Sequence, residues 1–386
     1  MLAWLIVGGG VHGTYLSHYL TLTGRVARDR LRVLDPHAIP LARWHRWTAN
    51  TATEWLRSPE SQHLDVGDDA LARFAATPVG RAAGDLAGRR PATRLFAAHV
   101  DAIVEQHALA SLRIAGAATG LARRPGGWRV ETTAGAIEAR RVVLAIGPDD
   151  RVREPAWTRS LRAHGARVDH VLSPEFRRDA IGPGARVAVV GGGISAAQLA
   201  IALARQSPHN VTLIMRHPPR VHALDADPVW FERWTTPEFA RGDVRTRRAL
   251  LGFGRHPGSM PRDVADRLAA ATTAGRLTIR IGEVARASAL PGGGSKLATL
   301  DHDVTVDRVV LATGFEQVRP GGSWLTRTIL ADGLPTAPCG YPIVDPLLTW
   351  QPGLHVCGPL GELQLGAAAR SIAGARRAAE VLGAVA

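Results

Sequence analysis

Two glycine-rich turns, LIVGGGVHG at 5–13 and VAVVGGGISA at 187–196, each follow an apolar run and open a helical pattern. That context makes a G-x-G-x-x-G/A match a dinucleotide-binding signal, whereas a lone glycine turn is weak evidence. Gly8 and Gly191 permit the tight turn. Gly10 and Gly193 let the backbone approach a pyrophosphate, and Gly13 and Ala196 allow close contact between helix and strand. The N–H groups and positive dipole end of each helix then face the phosphates. Two such turns predict two bound nucleotides and an α/β fold with two Rossmann-like domains.

The residue ending the next strand distinguishes the two nucleotides. LRVLD ends at Asp35, whose carboxylate suits ribose hydroxyls and so fits FAD or NAD, although Asp35 also suits a turn before Pro36. NVTLIMR ends at Arg216, where a guanidinium suits a 2′-phosphate and so fits NADPH. In an arginine-rich chain, Arg216 also has a plain reading as a surface charge.

With 386 residues, 46% of them hydrophobic, the chain can bury a core of two or three domains. No apolar run reaches the roughly 18 residues of a membrane span, and MLAWLIVGGG reads as the first Rossmann strand; a soluble, cytoplasmic protein is expected. Cys339 and Cys357 give neither a C-x-x-C pair nor a zinc spacing, and are expected to be buried thiols. The formal charge of +13 comes almost wholly from arginines scattered along the chain, with Lys296 the sole lysine. This predicts a solvated surface with some attraction for anionic cofactors, and no nucleic-acid partner. A homo-oligomer is left open.

VVLAIGP at 142–148 and VVLATGF at 309–315 are paired buried runs ending in glycine, one before and one after the second Rossmann unit. Their order predicts an NADPH domain at 151–303 inserted within an FAD domain made of 1–150 and 304–386. A small hairpin is expected between 289 and 307, and a docked helix from about Gly366. The segment 43–75 is too rich in tryptophan for a solvated loop. Together these readings give a cofactor-binding set of Gly8, Gly10, Gly13, Asp35, Trp47, Gly147, Gly191, Gly193, Ser195, Arg216, Thr313, Gly314, Gly358 and Gly366.

In their order along the chain, further segments resemble the flavin-dependent N-hydroxylating monooxygenases, the lysine and ornithine N-hydroxylase family. LRSPESQHLDVGDDALARFA at 56–75 is similar to the family's L-R-[DS]-P and following apolar helix, and HVLSPEF at 170–176 to its H-S-x-x-Y element. DADPVWFERWTTPEFA at 225–240 resembles D-x-x-P-F-x-N-E-x-F-x-P-E, and 258–280 and ATGF at 312–315 continue the match. The resemblance implies that NADPH reduces FAD, that the flavin captures O₂ as a C4a-hydroperoxide, and that oxygen passes to a nucleophilic nitrogen of a small amine or amino-acid-derived substrate, in secondary metabolism. It places Gln62 and His63 beside the flavin as catalytic candidates and His170 near the NADP phosphates. No metal is implied.

Two departures bear on the substrate. Where the family has a lysine six residues before the arginine of L-R-[DS]-P, to hold an amino-acid carboxylate, this chain has Thr51; Phe231 replaces the asparagine of the N-E pair. Free lysine and ornithine are therefore expected to be poor substrates, with Trp44, Trp47 and Trp55 either shaping a flatter pocket or forming core. Oxygenation of sulfur, a flavoprotein reductase without oxygenation, and a non-catalytic nucleotide-binding regulator remain open alternatives.

Overall fold

The computed structural model describes residues 1–233 and 235–386; position 234, inside the 225–240 segment singled out above, lies outside the described residues. The chain begins with β1 (Leu2–Val7), α1 (Val11–Leu22) and β2 (Leu31–Asp35). The strands pair in parallel, with Ile6 opposite Val33. Helices α2 (Ala42–Asn50) and α3 (Thr93–Gln106) lead to β3 (Arg113–Ala115), and β4 (Ala118–Arg124), β5 (Gly127–Thr132) and β6 (Gly135–Leu144) form an antiparallel meander. Strand β6 returns beside β1 in parallel register, so its run of Val142, Val143 and Leu144 is buried on both faces, as the sequence indicated.

The second sheet is wholly parallel. It comprises β7 (Val168–His170), β8 (Val187–Val190), α4 (Ile194–Gln206) and β9 (Val211–Met215). Helices α5 (Val244–Phe253) and α6 (Arg262–Thr273) lead to β10 (Leu277–Ile281). The expected hairpin is a three-stranded antiparallel sheet, β11 (Arg286–Ala289), β12 (Ser295–Ala298) and β13 (Asp303–Val306). Strand β14 (Arg308–Leu311) then pairs in parallel with β8 and β7, giving the order β10–β9–β8–β14–β7.

That pairing corrects the expected boundary at 304. VVLATGF closes the second sheet, just as VVLAIGP closes the first, and the chain leaves the second sheet only after Leu311. It returns through α7 (Gly322–Asp332), β15 (Thr349–Gln351) and β16 (Leu354–Val356), the last pairing with β6, to complete the order β15–β16–β6–β1–β2–β3. The final helix, α8 (Ile372–Gly383), also starts later than expected. Gly366 is a turn at φ 83°, and the helix is capped by Ser371, whose hydroxyl accepts from the Gly374 N–H at 3.2 Å. Helices α1 and α8 pack together over the first sheet, with Leu16, Leu20, Ala375, Ala379 and Leu382 in their shared core.

The seam between the two sheets is rich in arginine, where composition suggested only a solvated surface. Arg90 pairs with Asp263 at 2.5 Å, and Arg205 and Arg267 both reach Glu54. Arg57 donates to the carbonyls of His222, Ala223 and Leu224. Guanidinium suits this seam because its donors form a fixed fork that holds several acceptors at once. Cys357 is buried, and burial pushes its thiol up to about 12; Cys339 is exposed, against expectation. Among the described residues, no helix is long and apolar enough to cross a membrane.

Candidate active site

At the first turn Gly8 takes φ 110°, a conformation that an L side chain rarely adopts, and a methyl on Gly13 would overlap the Gly8 carbonyl. Nothing lies within 4 Å of the position a Gly10 Cβ would take, so the backbone there is open to a ligand. Asp35 ends β2 almost wholly buried. Its Oδ2 accepts from Gly9 N–H at 2.6 Å and its Oδ1 from His37 N–H at 2.8 Å, while the Arg113 guanidinium braces Oδ1 at 3.4 Å. The carboxylate thus holds the turn in shape and keeps acceptor capacity for ribose hydroxyls, since two oxygens offer about four lone-pair sites. The cradle fits FAD.

His12 and Arg113 escaped the sequence reading. The His12 ring lies against Gly358, and its Nε2–H donates to the Ala369 carbonyl at 2.9 Å. Burial pushes its pKa down to about 4, so the ring is neutral where α1 meets the C-terminal turn. Gly147 lies in the turn after β6, again with open space around its missing Cβ.

The second turn opens into a cavity of about 1210 Å³. That exceeds the roughly 300–1,000 Å³ of a pocket for one drug-sized ligand and suits a dinucleotide with a small substrate. Gly191, Gly193 and Ser195 line it, as do Arg216, Thr313 and Gly314. The structure therefore brings Gly191, Gly193, Ser195 and Arg216 together around one cavity, with Thr313 and Gly314 beside them, and leaves His170 outside it. Arg216 is exposed to this cavity and makes no hydrogen bond or ion pair with the described residues. Its free guanidinium and the uncapped N-terminus of α4 fit an NADPH phosphate set.

His170 is a supporting residue rather than a ligand-facing one. At the end of β7 its Nδ1 accepts from Leu172 N–H at 3.2 Å and its Nε2 lies 3.3 Å from the Thr313 hydroxyl. Burial lowers its pKa to about 4, and it is Thr313 that faces the cavity. Trp47 bridges the two sheets, its indole N–H donating to the Leu172 carbonyl at 3.1 Å and its ring 5.2 Å from that of Phe315. Trp44 packs on Phe96 and Trp55 against the same core, so these two form core and do not shape the cavity.

Gln62 and His63, expected beside the flavin, lie outside the cavity at the second turn, as do Gly8, Gly10 and Asp35 of the first. Both His63 ring nitrogens are used within its own loop, Nδ1 accepting from Asp65 N–H at 3.2 Å and Nε2 meeting the Asp68 carbonyl at 3.3 Å. The ring belongs to a buried cluster with His99, His18 and Asp65. Burial opposes the Asp65 charge, but the His18 hydrogen bond and the nearby histidines outweigh it and hold the carboxyl at about 2. Gln62 is buried beside it. A short stretch next to L-R-S-P offers no signal separating a residue that faces a cofactor from one turned into the core.

Residues from three distant segments complete the cavity. Arg57, Arg248, Arg255 and Arg370 line it, together with His256, whose Nε2 lies 3.0 Å from Asp227 and whose ring stacks on His222 at 3.7 Å. Arg248, Arg255 and Arg370 converge on the fully buried Glu362 at 2.5, 2.6 and 2.7 Å. Thr51, in contrast, is closed on itself: its hydroxyl donates to the Trp47 carbonyl at 2.7 Å and lies 2.8 Å from that of Thr53.

Residues 124–256 match the family described as L-lysine 6-monooxygenase/L-ornithine 5-monooxygenase, and residues 5–149 match an FAD-NAD(P)-binding family. The ornithine N-hydroxylase of Kutzneria sp. 744, solved with reduced FAD, NADP⁺ and L-ornithine, superposes with a TM-score of 0.76 at 18% identity, over 100% of this chain and 99% of its own. The chain has the fold of the flavin-dependent N-hydroxylating monooxygenases. L-lysine 6-monooxygenase from Pseudomonas syringae matches at 19% identity and a TM-score of 0.73, covering 100% of this chain and 99% of that one. The cadaverine monooxygenase of Erwinia amylovora matches at 15% and 0.74, covering 99% and 93%. No curated protein sequence matches.

Proposed function

We propose that this protein is an FAD- and NADPH-dependent monooxygenase that hydroxylates the nitrogen of a small primary amine. The observation that carries the reading is the cavity itself. One end holds Gly191, Gly193 and Arg216, the other reaches Ala367 beside the Gly366 turn of the first sheet, and the space between is large enough for a small substrate. The sequence match over 124–256 includes the lining residues Gly191, Gly193, Arg216 and Arg255, and the proteins of similar fold are named for ornithine, lysine and cadaverine, each of which carries a primary amine.

Bound FAD, reduced by NADPH, supplies the oxygen-transfer chemistry. The chain's own residues hold and orient. Asp35 and the Gly8–Gly13 turn fix the flavin nucleotide, and Arg216 and the Gly191–Ser195 turn fix the nicotinamide nucleotide. Arg57 clamps the carbonyls of 222–224 along the cavity wall, and Trp47 ties α2 to Leu172, so the two sheets are held together where the substrate would sit. The amine must be neutral to act as a nucleophile, whereas a free alkylamine is protonated until about pH 10.4. Three guanidiniums against one carboxylate leave the wall cationic, which disfavours the ammonium and favours the neutral nitrogen.

The test is purified protein reconstituted with FAD and assayed for NADPH oxidation coupled to hydroxylamine formation, using a panel of primary amines, amino acids and thioethers. Hydroxylamine matching NADPH consumption for at least one amine is expected. Sulfoxide formation alone, or peroxide release with every compound, would refute it.

A further inference from the structure

The missing lysine at Thr51 removes a cation from α2, yet the opposite wall of the cavity carries a surplus of them. Arg248 comes from α5, Arg255 from the loop after it, Arg370 from the turn before α8, and all three meet Glu362. Burial opposes ionisation of that carboxyl, but Arg255, Arg370 and Arg248 outweigh it. One carboxylate neutralises one guanidinium, so two positive charges are left over in a partly desolvated wall.

The donors are unevenly used. Arg370 is committed, with two hydrogen bonds to Glu362 and one to the Tyr341 hydroxyl. Arg255 gives only Nη2, to Glu362 and the Ala367 carbonyl; its Nε and Nη1 have no protein partner and the residue lines the cavity. Arg248 gives Nη1 to Glu362, stacks on Tyr341 at 4.1 Å and lies against the Cys339 thiol, with its Nε and Nη2 shut away from the cavity, so it holds the cluster together. The free Arg255 donors at the cavity wall are unfavourable until an anion meets them, and the planar fork of arginine matches a carboxylate in two hydrogen bonds. Glu362 keeps the guanidiniums together against their mutual repulsion.

We propose that Arg255, held beside Arg248 and Arg370 by Glu362, is a specificity-determining residue that binds a carboxylate of the amine substrate from the wall opposite Thr51. The assignment rests on the amine-hydroxylating reading above. It reverses the substrate scope expected from Thr51, since the carboxylate is held from the second unit. It also separates two jobs within the substrate: the carboxylate anchors at Arg255 and the distal nitrogen extends toward the flavin.

The experiment measures binding rather than turnover. FAD- and NADP⁺-loaded protein is titrated calorimetrically with three pairs differing only by a carboxylate: L-ornithine and putrescine, L-lysine and cadaverine, L-tryptophan and tryptamine. At least one amino acid is expected to bind about tenfold or more tighter than its amine, the size of a charge-assisted contact. Arg255→Gln should bring that pair to within about twofold, Arg255→Lys should restore part of the gap, and the Kd for NADP⁺ should stay within about twofold. Arg255→Met gives the same readout should Arg255→Gln fail to fold, and Arg248→Gln, which only loosens the cluster, should narrow the gap less. Amines binding as tightly as their amino acids in the wild type, or no binding by any of the six, would overturn the proposal. So would a tenfold loss of NADP⁺ affinity with the pair ratio unchanged, which would assign Arg255 to the dinucleotide's phosphates. Selective binding without hydroxylamine formation would leave the carboxylate site standing and refute the proposed function.

Discussion

Replacing Arg216 by alanine tests the nucleotide assignment where the structure is most explicit. The guanidinium stands at the end of β9, exposed to the cavity and free of any hydrogen bond or ion pair with the described residues, so removing it breaks nothing within the fold. Its loss should appear only in ligand binding. A charge-assisted hydrogen bond is worth about 1.5–3 kcal/mol, and about 1.4 kcal/mol is tenfold in affinity, which gives a rise in KM for NADPH of roughly 10- to 150-fold. Exposure to solvent moves the expectation toward the lower end, and Arg220 on the same wall offers a second cation, so about tenfold is the working figure. The wild type should prefer NADPH over NADH, and Arg216→Ala should raise the KM for NADPH while leaving that for NADH within about twofold. Steady-state oxidation of both nucleotides, at low and high salt, gives the numbers; the gap should narrow as salt screens the contact. Equal KM values in the wild type, or equal increases for both nucleotides in the variant, would mean that Arg216 does not recognise the 2′-phosphate.

Asp35→Ala should weaken FAD binding by roughly tenfold or more, because it removes an acceptor for ribose and also frees Gly9 N–H and His37 N–H; fluorescence titration with FAD measures it, and an unchanged Kd would refute the role. Gly13→Ala should yield protein without flavin colour, since the added methyl meets the Gly8 carbonyl and forces α1 away from β1; an unchanged flavin content after purification would contradict the packing argument. The Glu362 carboxyl, at about 2 in the folded protein against an ordinary 4.5, contributes about 3 kcal/mol that is fully present above pH ~5 and is lost as pH falls toward ~2. The stability gap between wild type and Glu362→Gln in urea unfolding should therefore shrink from neutral pH to pH ~3, and a gap independent of pH would show that the ion cluster is not its source.

Much of the nucleotide chemistry was legible in the sequence because it is local. A glycine that must take positive φ, one that must let a helix touch a strand, and the residue closing the next strand all lie within some thirty positions, so Gly8, Gly13 and Asp35 announce their roles without the rest of the fold. Gly191, at φ 157°, and Arg216, exposed just after the next strand, follow the same local pattern. The parallel sheets also followed, because VVLAIGP and VVLATGF are uniformly apolar as strands buried on both faces must be. The expected boundary at 304 gave the second of these runs to the first unit, whereas it pairs in the second sheet, because strand neighbours are chosen by packing and not by composition.

Only the tertiary structure decided which polar side chains face ligand and which face protein. His63 and His170 have the right residue type and neighbourhood for a site, yet packing supplies each ring nitrogen with a partner and turns both inward. Arg248, Arg255, Glu362 and Arg370 have no pattern in common along the chain, and they meet only because α5 of the second unit packs on the returning C-terminal segment of the first. Glycine conformation and strand periodicity are properties of a few adjacent residues, whereas the pairing of a charge depends on which distant segment the closed fold places against it.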